Sequence, residues 1–474
     1  MKIKVYLYIC CMYLLLVLSG CSVNKFIPQD SYLLDDVKIE SDNKEIKPSY
    51  MTAYVRQNPN AKWFSLVKIP MYIYSASGQD STRWINRLWR RLGDAPVIYD
   101  RELAQETRQE IQKAVQNIGY MGASVTVRET PKGNRMKVCY QITSGEPYVI
   151  DYIGYDIDDA RINALFRDDS IRINLQKGMR FDVNQLDAER QRITQYLQDR
   201  GYYRFNKDFI TFQADTILNT HKIDLTMQIA PFQRLKEDSP STHRQYTVRE
   251  VNYLLDTDPT SLSEESFGQL HRFSTDHIQI YYNNKMFLRP KVLEESNFIT
   301  KGQLYQSRDV QNTYASLSRL HILKYSNIRF REVLQNDSAF LDAYVTLSRN
   351  KNKSMEFEIE GTNSAGDLGA AASVTFNHRN LFKGSESFSL KLRGAYEAIT
   401  GLEGYANSNY MEYGVESSLN FPEFMFPFLS SDFKRKIRAT SEVSVKYNWQ
   451  IRPEFERTLA SAAWSYHWTR RGKA

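Results

Sequence analysis

The chain has 474 residues, of which 42% are apolar and 13% aromatic, and its formal net charge is +7. The mean hydropathy of −0.52 excludes a membrane protein built from many apolar helices. Lys2 and Lys4 supply two of the positive charges, and the remaining excess is spread too thinly over the chain to predict a nucleic-acid partner. The length accommodates roughly three domains.

The first twenty residues have the pattern of an export signal. Lys2 and Lys4 precede an apolar core from Val5 to Leu18, which is short for a membrane-spanning helix and typical of a secretory signal. The core ends in the tetrapeptide LSGC, which resembles the bacterial lipobox, where cleavage occurs before a cysteine that is acylated. Cys21 is therefore the predicted lipid anchor. The alternative is an ordinary signal with a chance cysteine.

A repeated layout follows. Each of three segments has an aromatic residue, a helical pattern of about twenty residues and a closing tyrosine, preceded by one predicted strand and followed by two. The opening and closing aromatics are Tyr99 and Tyr120, Phe181 and Tyr202, and Tyr305 and Tyr325. Gly119 and Gly201 stand where a helix end favours a left-handed residue. Lys324 takes that place in the third copy. A unit of strand, two helices and two strands is thus predicted three times.

The first copy carries an insertion around residues 58–94 that is rich in tryptophan and arginine. Its aromatic residues are Trp63, Trp84 and Trp89, beside Arg83, Arg87, Arg90 and Arg91. This composition is typical either of a surface that binds a partner or lipid headgroups, or of local packing with solvated arginines. The third copy carries another insertion around residues 261–290.

From residue 351 the sequence consists largely of long alternating runs. In MEFEIEG, Met355, Phe357 and Ile359 face one way and three glutamates face the other. Six such runs occur, each near the ~9–11 residues that a tilted membrane strand needs. A soluble sandwich also alternates, but its strands average ~5–6 residues. The pattern therefore favours a membrane β-barrel over a soluble sandwich.

No sequence motif for catalysis or cofactor binding is found. H-E-x-x-H, Walker A, G-x-G-x-x-G and G-x-S-x-G are absent from the sequence. His271 and His277 lie close in sequence within an aromatic-rich insertion and are interpreted as a chance pair, and Cys139 lies in an alternating run typical of a core strand. We therefore expect no enzyme activity, no cofactor and no metal.

The repeated unit resembles the POTRA domain, the periplasmic module that precedes outer-membrane barrels. The pairs Gly119-Tyr120 and Gly201-Tyr202, together with KGMRF and KGQLY ahead of the second and third helices, carry that resemblance. The segment from residue 358 to 386 resembles the opening hairpin of the BamA/TamA superfamily of outer-membrane assembly proteins. Asn380, Leu381, Phe382 and Gly384 match its N-L-F-x-G turn, and NFPEFMFPF resembles lipidated TamA-like members.

These observations predict α+β POTRA repeats followed by an antiparallel transmembrane β-barrel, of which about six N-terminal strands are present. The predicted parts are a lipoprotein signal (1–20), a lipidated tether (21–31), POTRA-like domains (32–145, 146–232 and 245–350), a linker (233–244) and the barrel region (351–474). Even the smallest natural membrane barrels have about eight strands, so we expect a fragment of a longer protein. A short form completed by another chain is the alternative.

The resemblance implies a lipid-anchored protein of the outer membrane of a diderm bacterium, with periplasmic POTRA domains, that inserts unfolded outer-membrane proteins. It implies a lateral gate at the first barrel strand and strand addition at the POTRA edges. The gate residues are Met355, Phe357, Ile359, Glu360 and Gly361. The edge residues are Ala123, Val125, Val127, Phe209, Thr211, Ile328 and Phe330. A TamB-like periplasm-spanning partner is also implied. The alternatives are a polypeptide exporter of the two-partner type and a periplasmic scaffold lipoprotein.

Overall fold

The computed structural model describes residues 23–63, 67–78, 80–168, 170–217, 220–232, 242–256, 270–335, 338–364, 367–398, 409–430, 433–434, 437, 439–452 and 454–468. The predicted signal, the anchor Cys21 and most of the predicted linker lie outside the described residues. The chain divides into two compact units, Met1–Ile193 with Asn206–Pro231, and Thr194–Phe205 with Phe232–Ala474. No helix among the described residues is long and apolar enough to cross a membrane.

Two three-stranded sheets form the first compact unit, and they share one topology. In each, the first strand runs parallel to the third, and the second strand pairs antiparallel with the third at the edge. The first sheet contains β1 (Leu33–Ser41), β2 (Ser124–Lys132) and β3 (Arg135–Thr143), and the second contains β4 (Val149–Ile157), β5 (Ile210–Thr216) and β6 (Lys222–Ile229).

The helices of this region include α1 (Pro48–Met51), α2 (Ile69–Ala76), α3 (Trp84–Leu92), α4 (Arg101–Asn117), α5 (Ala160–Arg167) and α6 (Val183–Gln198). Short 3₁₀ turns cover Val23–Phe26, Thr52–Tyr54 and Lys207–Phe209. The α4 helix begins at Asp100, whose carboxylate accepts from Glu102 N at 2.8 Å, and buries Ile111 and Val115 in the core of the first sheet. The two helices of the first insertion are α2 and α3.

The second compact unit holds a five-stranded sheet with the order β10-β11-β7-β9-β8. Its strands are β7 (Tyr246–Leu255), β8 (His271–Ser274), β9 (Gln279–Tyr282), β10 (Leu323–Gln335) and β11 (Ser338–Arg349), and its helices are α7 (Pro290–Ser296) and α8 (Ser307–Leu317). Strands β10, β11 and β7 repeat the topology of the first two sheets. The β8–β9 hairpin adds two strands that the repeat did not predict.

Six further strands form one antiparallel sheet in chain order. They are β12 (Lys353–Ser364), β13 (Asp367–His378), β14 (Ser387–Ala398), β15 (Asn409–Phe421), β16 (Thr440–Ile451) and β17 (Glu456–His467). Each has 12 or 13 residues, twice the length usual in soluble sheets. POTRA-like units followed by a long antiparallel sheet confirm the predicted fold class. Each of the four sheets lies within one predicted domain range, while the boundaries themselves stay predictions.

The repeated aromatic and glycine residues form a recurring joint made of backbone hydrogen bonds. The opening aromatics Tyr99, Phe181 and Tyr305 each donate their N–H to a carbonyl at the start of the first strand of their own unit, at 2.7, 2.9 and 2.9 Å. The glycines at the helix ends contact the next repeated unit along the chain. Gly119 O accepts from Tyr148 N, and Gly201 O accepts from Tyr246 N, both at 2.8 Å.

Both glycines are required by the geometry of this joint. Gly119 has a φ of +100° and Gly201 a φ of +97°, a region that residues with a Cβ rarely adopt. A Cβ on Gly119 would overlap the carbonyl oxygen of Phe181, and one on Gly201 would touch the Leu304 side chain at 3.2 Å. The glycine–tyrosine motif therefore ends one helix and positions the next unit at the same point.

Candidate functional site

The first strand of the long sheet, β12, is a sheet edge with two chemically different faces. Within the described residues it pairs with β13 alone. Phe357 is 71% exposed and Ile359 is 87% exposed on one face. These values far exceed those of a packed core strand, so this apolar face has no protein covering in the described chain. The predicted gate residues thus lie on an edge strand, and their function as a gate stays a prediction.

The opposite face of the sheet carries charge pairs between strands. Glu358 Oε2 lies 3.3 Å from Lys391 Nζ, and Glu360 Oε2 lies 3.0 Å from Arg393 Nη2. Glu416 Oε1 on β15 lies 2.7 Å from Lys446 Nζ on β16. These pairs are partly exposed, so each contributes little to stability. These pairs show that the two faces differ chemically, since one face carries charge pairs while the other exposes large apolar side chains.

The apolar face continues across the whole sheet. Its exposed members include Met355, Phe357 and Ile359 on β12, Leu368 on β13, Leu392 and Tyr396 on β14, Tyr413 and Val415 on β15, Val445 and Tyr447 on β16, and Trp464 on β17. An exposed apolar surface of this extent is typical of contact with lipid or with another protein. Strands of 12 to 13 residues are long enough to cross a bilayer when tilted.

The N-L-F-x-G turn between β13 and β14 is a docking element whose first and last residues, Asn380 and Gly384, are buried, while Leu381 and Phe382 are exposed. Asn380 Nδ2 donates to Phe287 O at 2.7 Å, and Asn380 Oδ1 accepts from Ser385 N at 2.9 Å. Lys383 O accepts from Arg289 N at 2.9 Å. Phe287 and Arg289 lie just before α7 of the five-stranded domain. The turn therefore joins the long sheet to the domain that precedes it in the chain.

A buried carboxylate organises this turn. Glu386 Oε2 accepts from Phe382 N at 3.1 Å and from Gly384 N at 2.8 Å, while its Oε1 accepts from Arg289 Nη2 at 2.8 Å. The Glu386 side chain is only 5% exposed. A Cβ on Gly384 would overlap both Arg289 Nη2 and the Glu386 carboxylate. A side chain at that position would have to displace the Arg289–Glu386 ion pair, which glycine leaves in place.

The end of the third repeat takes part in the same junction. Ser385 is fully buried, and its hydroxyl accepts from Ile322 N at 3.1 Å. Ile322 O in turn accepts from Asn350 N at 2.7 Å. Lys383 and Ser385 have φ values of 61° and 64°, which are uncommon for residues with a side chain and persist only where surrounding contacts hold them. The segment that follows the helix of the third repeat therefore contacts the long sheet, whereas the corresponding segments of the first two repeats contact the next POTRA-like unit.

A cavity of about 280 Å³ adjoins this junction. It is lined by Lys291 and Glu295 of α7, by Arg319 and Leu320, and by Pro422 to Met425 of the aromatic-proline segment. Ser441 Oγ donates to Glu423 O at 3.0 Å and accepts from Met425 N at 2.8 Å, which fixes that segment against β16. The NFPEFMFPF motif thus lies between the long sheet and the five-stranded domain.

The predicted POTRA edge residues lie at sheet edges or directly before them. Strands β2, β5 and β10 are each terminal in their sheet's order, and Val125 and Val127, Thr211, and Ile328 and Phe330 belong to them. Ala123 precedes β2, and Phe209 ends the 3₁₀ turn before β5. Val125 and Ile328 point into their cores. In these strands the backbone edge, rather than these side chains, is available to an added strand, and its use stays a prediction.

Cys139 of β3 behaves as a packed thiol. It is half-buried, and burial together with the neighbouring Glu40 raises the pKa of the Cys139 thiol. A raised pKa lowers the fraction of thiolate at neutral pH, and the thiolate is the reactive form. The sequence interpretation of Cys139 as a structural residue is consistent with this environment.

Sequence reasoning missed the partners of the turn. The motif named Asn380, Leu381, Phe382 and Gly384, but Arg289, Ser385 and Glu386 complete the junction. Ser385 and Glu386 follow the motif directly, so an acidic residue two positions after its glycine was a usable signal. Arg289 is 97 residues away from Glu386 in the chain, and nothing in the local pattern indicates that pairing.

Comparison with known proteins gives one family match. Residues 32–145 match the POTRA family, described as a surface antigen variable number repeat, and no curated protein matches the sequence. This match over residues 32–145 agrees with the prediction that the first repeat is POTRA-like.

The solved structures to which the chain has a low similarity include two of BamA and one of CdiB. POTRA domains 3–5 of Haemophilus influenzae BamA are 13% identical, with 68% of this chain and 99% of that chain covered and a TM-score of 0.33. Haemophilus ducreyi BamA lacking POTRA domains 1–3 is 14% identical, with 69% and 61% covered and a TM-score of 0.32. CdiB from Acinetobacter baumannii is 8% identical, with 68% and 58% covered and a TM-score of 0.29. TM-scores this low carry no argument about function.

Proposed function

We propose that this chain, a POTRA protein of the BamA/TamA superfamily, assembles proteins into the outer membrane by adding their strands to a sheet edge. The observation that carries the proposal is β12, an edge strand of 12 residues with an exposed apolar face and a charged opposite face. The POTRA domain at residues 32–145 supports a periplasmic region that precedes a membrane sheet.

The apolar face of the long sheet contacts lipid in this proposal, and the charged face contacts water. Burying exposed residues such as Phe357 and Ile359 in hydrocarbon removes their apolar surface from water, which contributes roughly 1.5–3 kcal/mol for each side chain. The Glu358–Lys391 and Glu360–Arg393 pairs remain hydrated, because placing them in hydrocarbon would cost several kcal/mol. The division of charge between the two faces sets the orientation of the sheet in the bilayer.

Strand addition at β12 follows from backbone chemistry. The outer side of an edge strand presents N–H and C=O groups that form hydrogen bonds with any extended chain, and in a bilayer unpaired groups are especially costly. An incoming strand of an unfolded membrane protein satisfies both its own groups and those of β12. The reaction needs no covalent step, no cofactor and no metal in this proposal. The strands β2, β5 and β10 would bind extended substrate segments in the same way before delivery.

The remaining parts of the proposal concern location and partners. Acylation of Cys21 would tether the chain to the outer membrane with its POTRA domains in the periplasm, and a TamB-like protein would be a partner of the POTRA region. A polypeptide exporter of the two-partner type is the second candidate, because the same POTRA-like domains and membrane sheet would suit a protein that passes its polypeptide substrate through the barrel lumen. A scaffold lipoprotein is the third, and the exposed apolar face of the long sheet argues against it.

Photo-crosslinking at the edge strand tests the proposal. A photoreactive phenylalanine replaces Phe357 on β12, and the matched control replaces Leu392 on β14, which lies on the same apolar face but between two paired strands. We expect the Phe357 variant to crosslink newly made outer-membrane proteins of several kinds and the Leu392 variant to crosslink none. Crosslinking of a single secreted protein would indicate an exporter. Equal behaviour at both positions would refute strand addition at β12.

Depletion of the protein provides the independent measurement. An assembly factor should lower the amounts of several outer-membrane proteins together, whereas an exporter should lower only its own cargo. A scaffold lipoprotein would leave all of them in the membrane and would become extractable without detergent when Cys21→Ser removes the anchor.

A further inference from the structure

Helix α3, Trp84–Leu92, presents an apolar face to solvent. Five large apolar side chains of this nine-residue helix are exposed, among them Trp84 at 70% and Leu92 at 61%. At about 100° per residue they cover one continuous arc of roughly 140° on the helix surface. The members of this arc are Trp84, Ile85, Leu88, Trp89 and Leu92.

The side of α3 that faces the protein is polar, which reverses the usual arrangement of a surface helix. Asn86 is buried, its Oδ1 accepts from Gly78 N at 2.9 Å, and its Nδ2 donates to Asp80 O at 2.7 Å. Arg90 donates to Gly78 O at 2.9 Å and stacks over the rings of Phe26 and Tyr74. The helix is thus held in place by hydrogen bonds of its polar residues, while its apolar residues remain between 37% and 70% exposed.

Positive charge borders the apolar arc on one edge. Arg87 and Arg91 are exposed and lie one turn apart, next to Trp84 on the helix surface. Arg83, just before the helix, is paired with Asp80 at 3.4 Å, so the positive edge of the arc consists of Arg87 and Arg91. An apolar face with tryptophans and an arginine edge is the chemistry of helices that lie in the interface of anionic bilayers.

The start of the described chain packs against the same helix pair. Lys25 Nζ donates to Ser77 O at 2.6 Å, and the ring of Phe26 lies 5.3 Å from the ring of Tyr74 at the end of α2. Two peptide units span at most about 7.6 Å, so a lipid on Cys21 would be attached close to Val23, which packs against Met71 of α2, the partner of α3 in this helix pair. This second argument rests on the lipidation proposed above, whereas the exposed arc and its arginine edge do not.

We propose that α3 is an interfacial helix that docks the first POTRA domain on a bilayer containing anionic phospholipid. The arc from Trp84 to Leu92 enters the boundary between headgroups and acyl chains, and Arg87 and Arg91 contact the phosphates. Charge complementarity favours this occupant, because the two exposed arginines beside the arc match the phosphates of an anionic bilayer surface.

A fluorescent label at Leu88 reports the environment of the arc. Leu88→Cys is introduced into the full chain with Cys10, Cys11, Cys21 and Cys139 changed to serine, and an environment-sensitive dye is attached. The protein is reconstituted into vesicles of phosphatidylethanolamine with phosphatidylglycerol, or of phosphatidylcholine alone, with a quencher on the acyl chains. We expect blue-shifted emission and quenching in the phosphatidylglycerol vesicles, and a weaker effect in phosphatidylcholine.

Matched arginine variants decide the contribution of charge. At roughly fivefold in binding for each arginine near an anionic surface, Arg87→Gln with Arg91→Gln should lower the ratio of docked to undocked helix about thirtyfold. Arg161→Gln with Arg167→Gln, two exposed arginines on α5, should leave it unchanged. Circular dichroism and a second label at Leu92→Cys check that the helix persists in each variant.

Three outcomes would overturn the proposal. Solvent-like emission in all vesicles would mean that the arc does not dock. Blue-shifted emission without quenching, equal in detergent, would mean that protein covers the arc, either the N-terminal segment or a second copy. An equal loss in both arginine pairs would mean that the charge effect is nonspecific. Since Cys21 is absent in these proteins and no substrate is used, none of these results depends on assembly activity.

Discussion

Glu386→Ala should loosen the N-L-F-x-G turn more than any exposed substitution in the long sheet. The carboxylate of Glu386 is buried and accepts from two backbone N–H groups and from Arg289. Hydrogen bonds to a charged group contribute about 1.5–3 kcal/mol each, and a donor left buried without an acceptor is costly. Arg289 is 52% exposed, so its ion pair adds less than about 1 kcal/mol. The two backbone bonds therefore dominate, with a combined loss of at least about 3 kcal/mol.

Hydrogen exchange of two amides measures this loss directly. The N–H groups of Phe382 and Gly384 are those that Glu386 accepts from, so their local opening should become easier by about 3 kcal/mol. At 1.36 kcal/mol for each factor of ten, their exchange should accelerate about 150-fold in Glu386→Ala. Glu386→Gln keeps one carbonyl acceptor without the charge and should give a smaller acceleration, on the order of tenfold.

The control is Glu356→Ala, which removes an exposed glutamate from β12 and should leave both amides unchanged. If Phe382 and Gly384 exchange at the original rate in Glu386→Ala, the carboxylate does not hold the turn and the account of the motif is wrong. Faster exchange throughout the sheet, rather than in the turn, would also contradict it, because the predicted effect is local.

Two further predictions concern the first domain. Gly119→Ala should lower the urea midpoint by the equivalent of at least about 1–2 kcal/mol, because the φ of Gly119 is +100° and a Cβ would overlap Phe181 O. The control is Gly122→Ala, which should be neutral or slightly stabilising because a Cβ there meets open space. Burial lowers the pKa of Lys68 despite the nearby Asp35 carboxylate, so the unfolded chain binds that proton more tightly. The free energy of unfolding should therefore rise as pH increases from the folded pKa toward about 10.4, and Lys68→Met should reduce that slope. If Lys68→Met and the original protein show the same dependence of the free energy of unfolding on pH, the expectation for Lys68 is wrong. If Gly119→Ala and Gly122→Ala have the same urea midpoint, the expectation for Gly119 is wrong.

The sequence predicted the repeated architecture because its signals are local. Strands such as β12 and β16 alternate with a period of two, and α4 has helical spacing and an aspartate cap, so each can be recognised within a dozen residues. The glycine at the end of α4 reports a backbone angle that few other residues adopt. These features depend on short-range sterics, which a single sequence records.

The contacts between elements could not be predicted in the same way. The Arg289–Glu386 pair joins residues far apart in sequence, and the β8–β9 hairpin has strands of only four residues, too short for a clear period. The outward apolar face of α3 was also ambiguous, because the same spacing of tryptophans suits a buried helix. Burial direction is decided by tertiary packing, which the local pattern of a single sequence does not record.

The joints between the repeats have a consequence for how such arrays change over time. Each joint includes a main-chain hydrogen bond to one glycine, as at Gly119 with Tyr148 and at Gly201 with Tyr246, and such a bond does not depend on the identity of the neighbouring side chains. A duplicated repeat would contain its own first strand and its own helix-ending glycine. It could therefore form the same main-chain hydrogen bonds with the repeats on either side. Gain and loss of whole repeats is therefore structurally easy in this chain, while the junction at Glu386 fixes which end bears the long sheet.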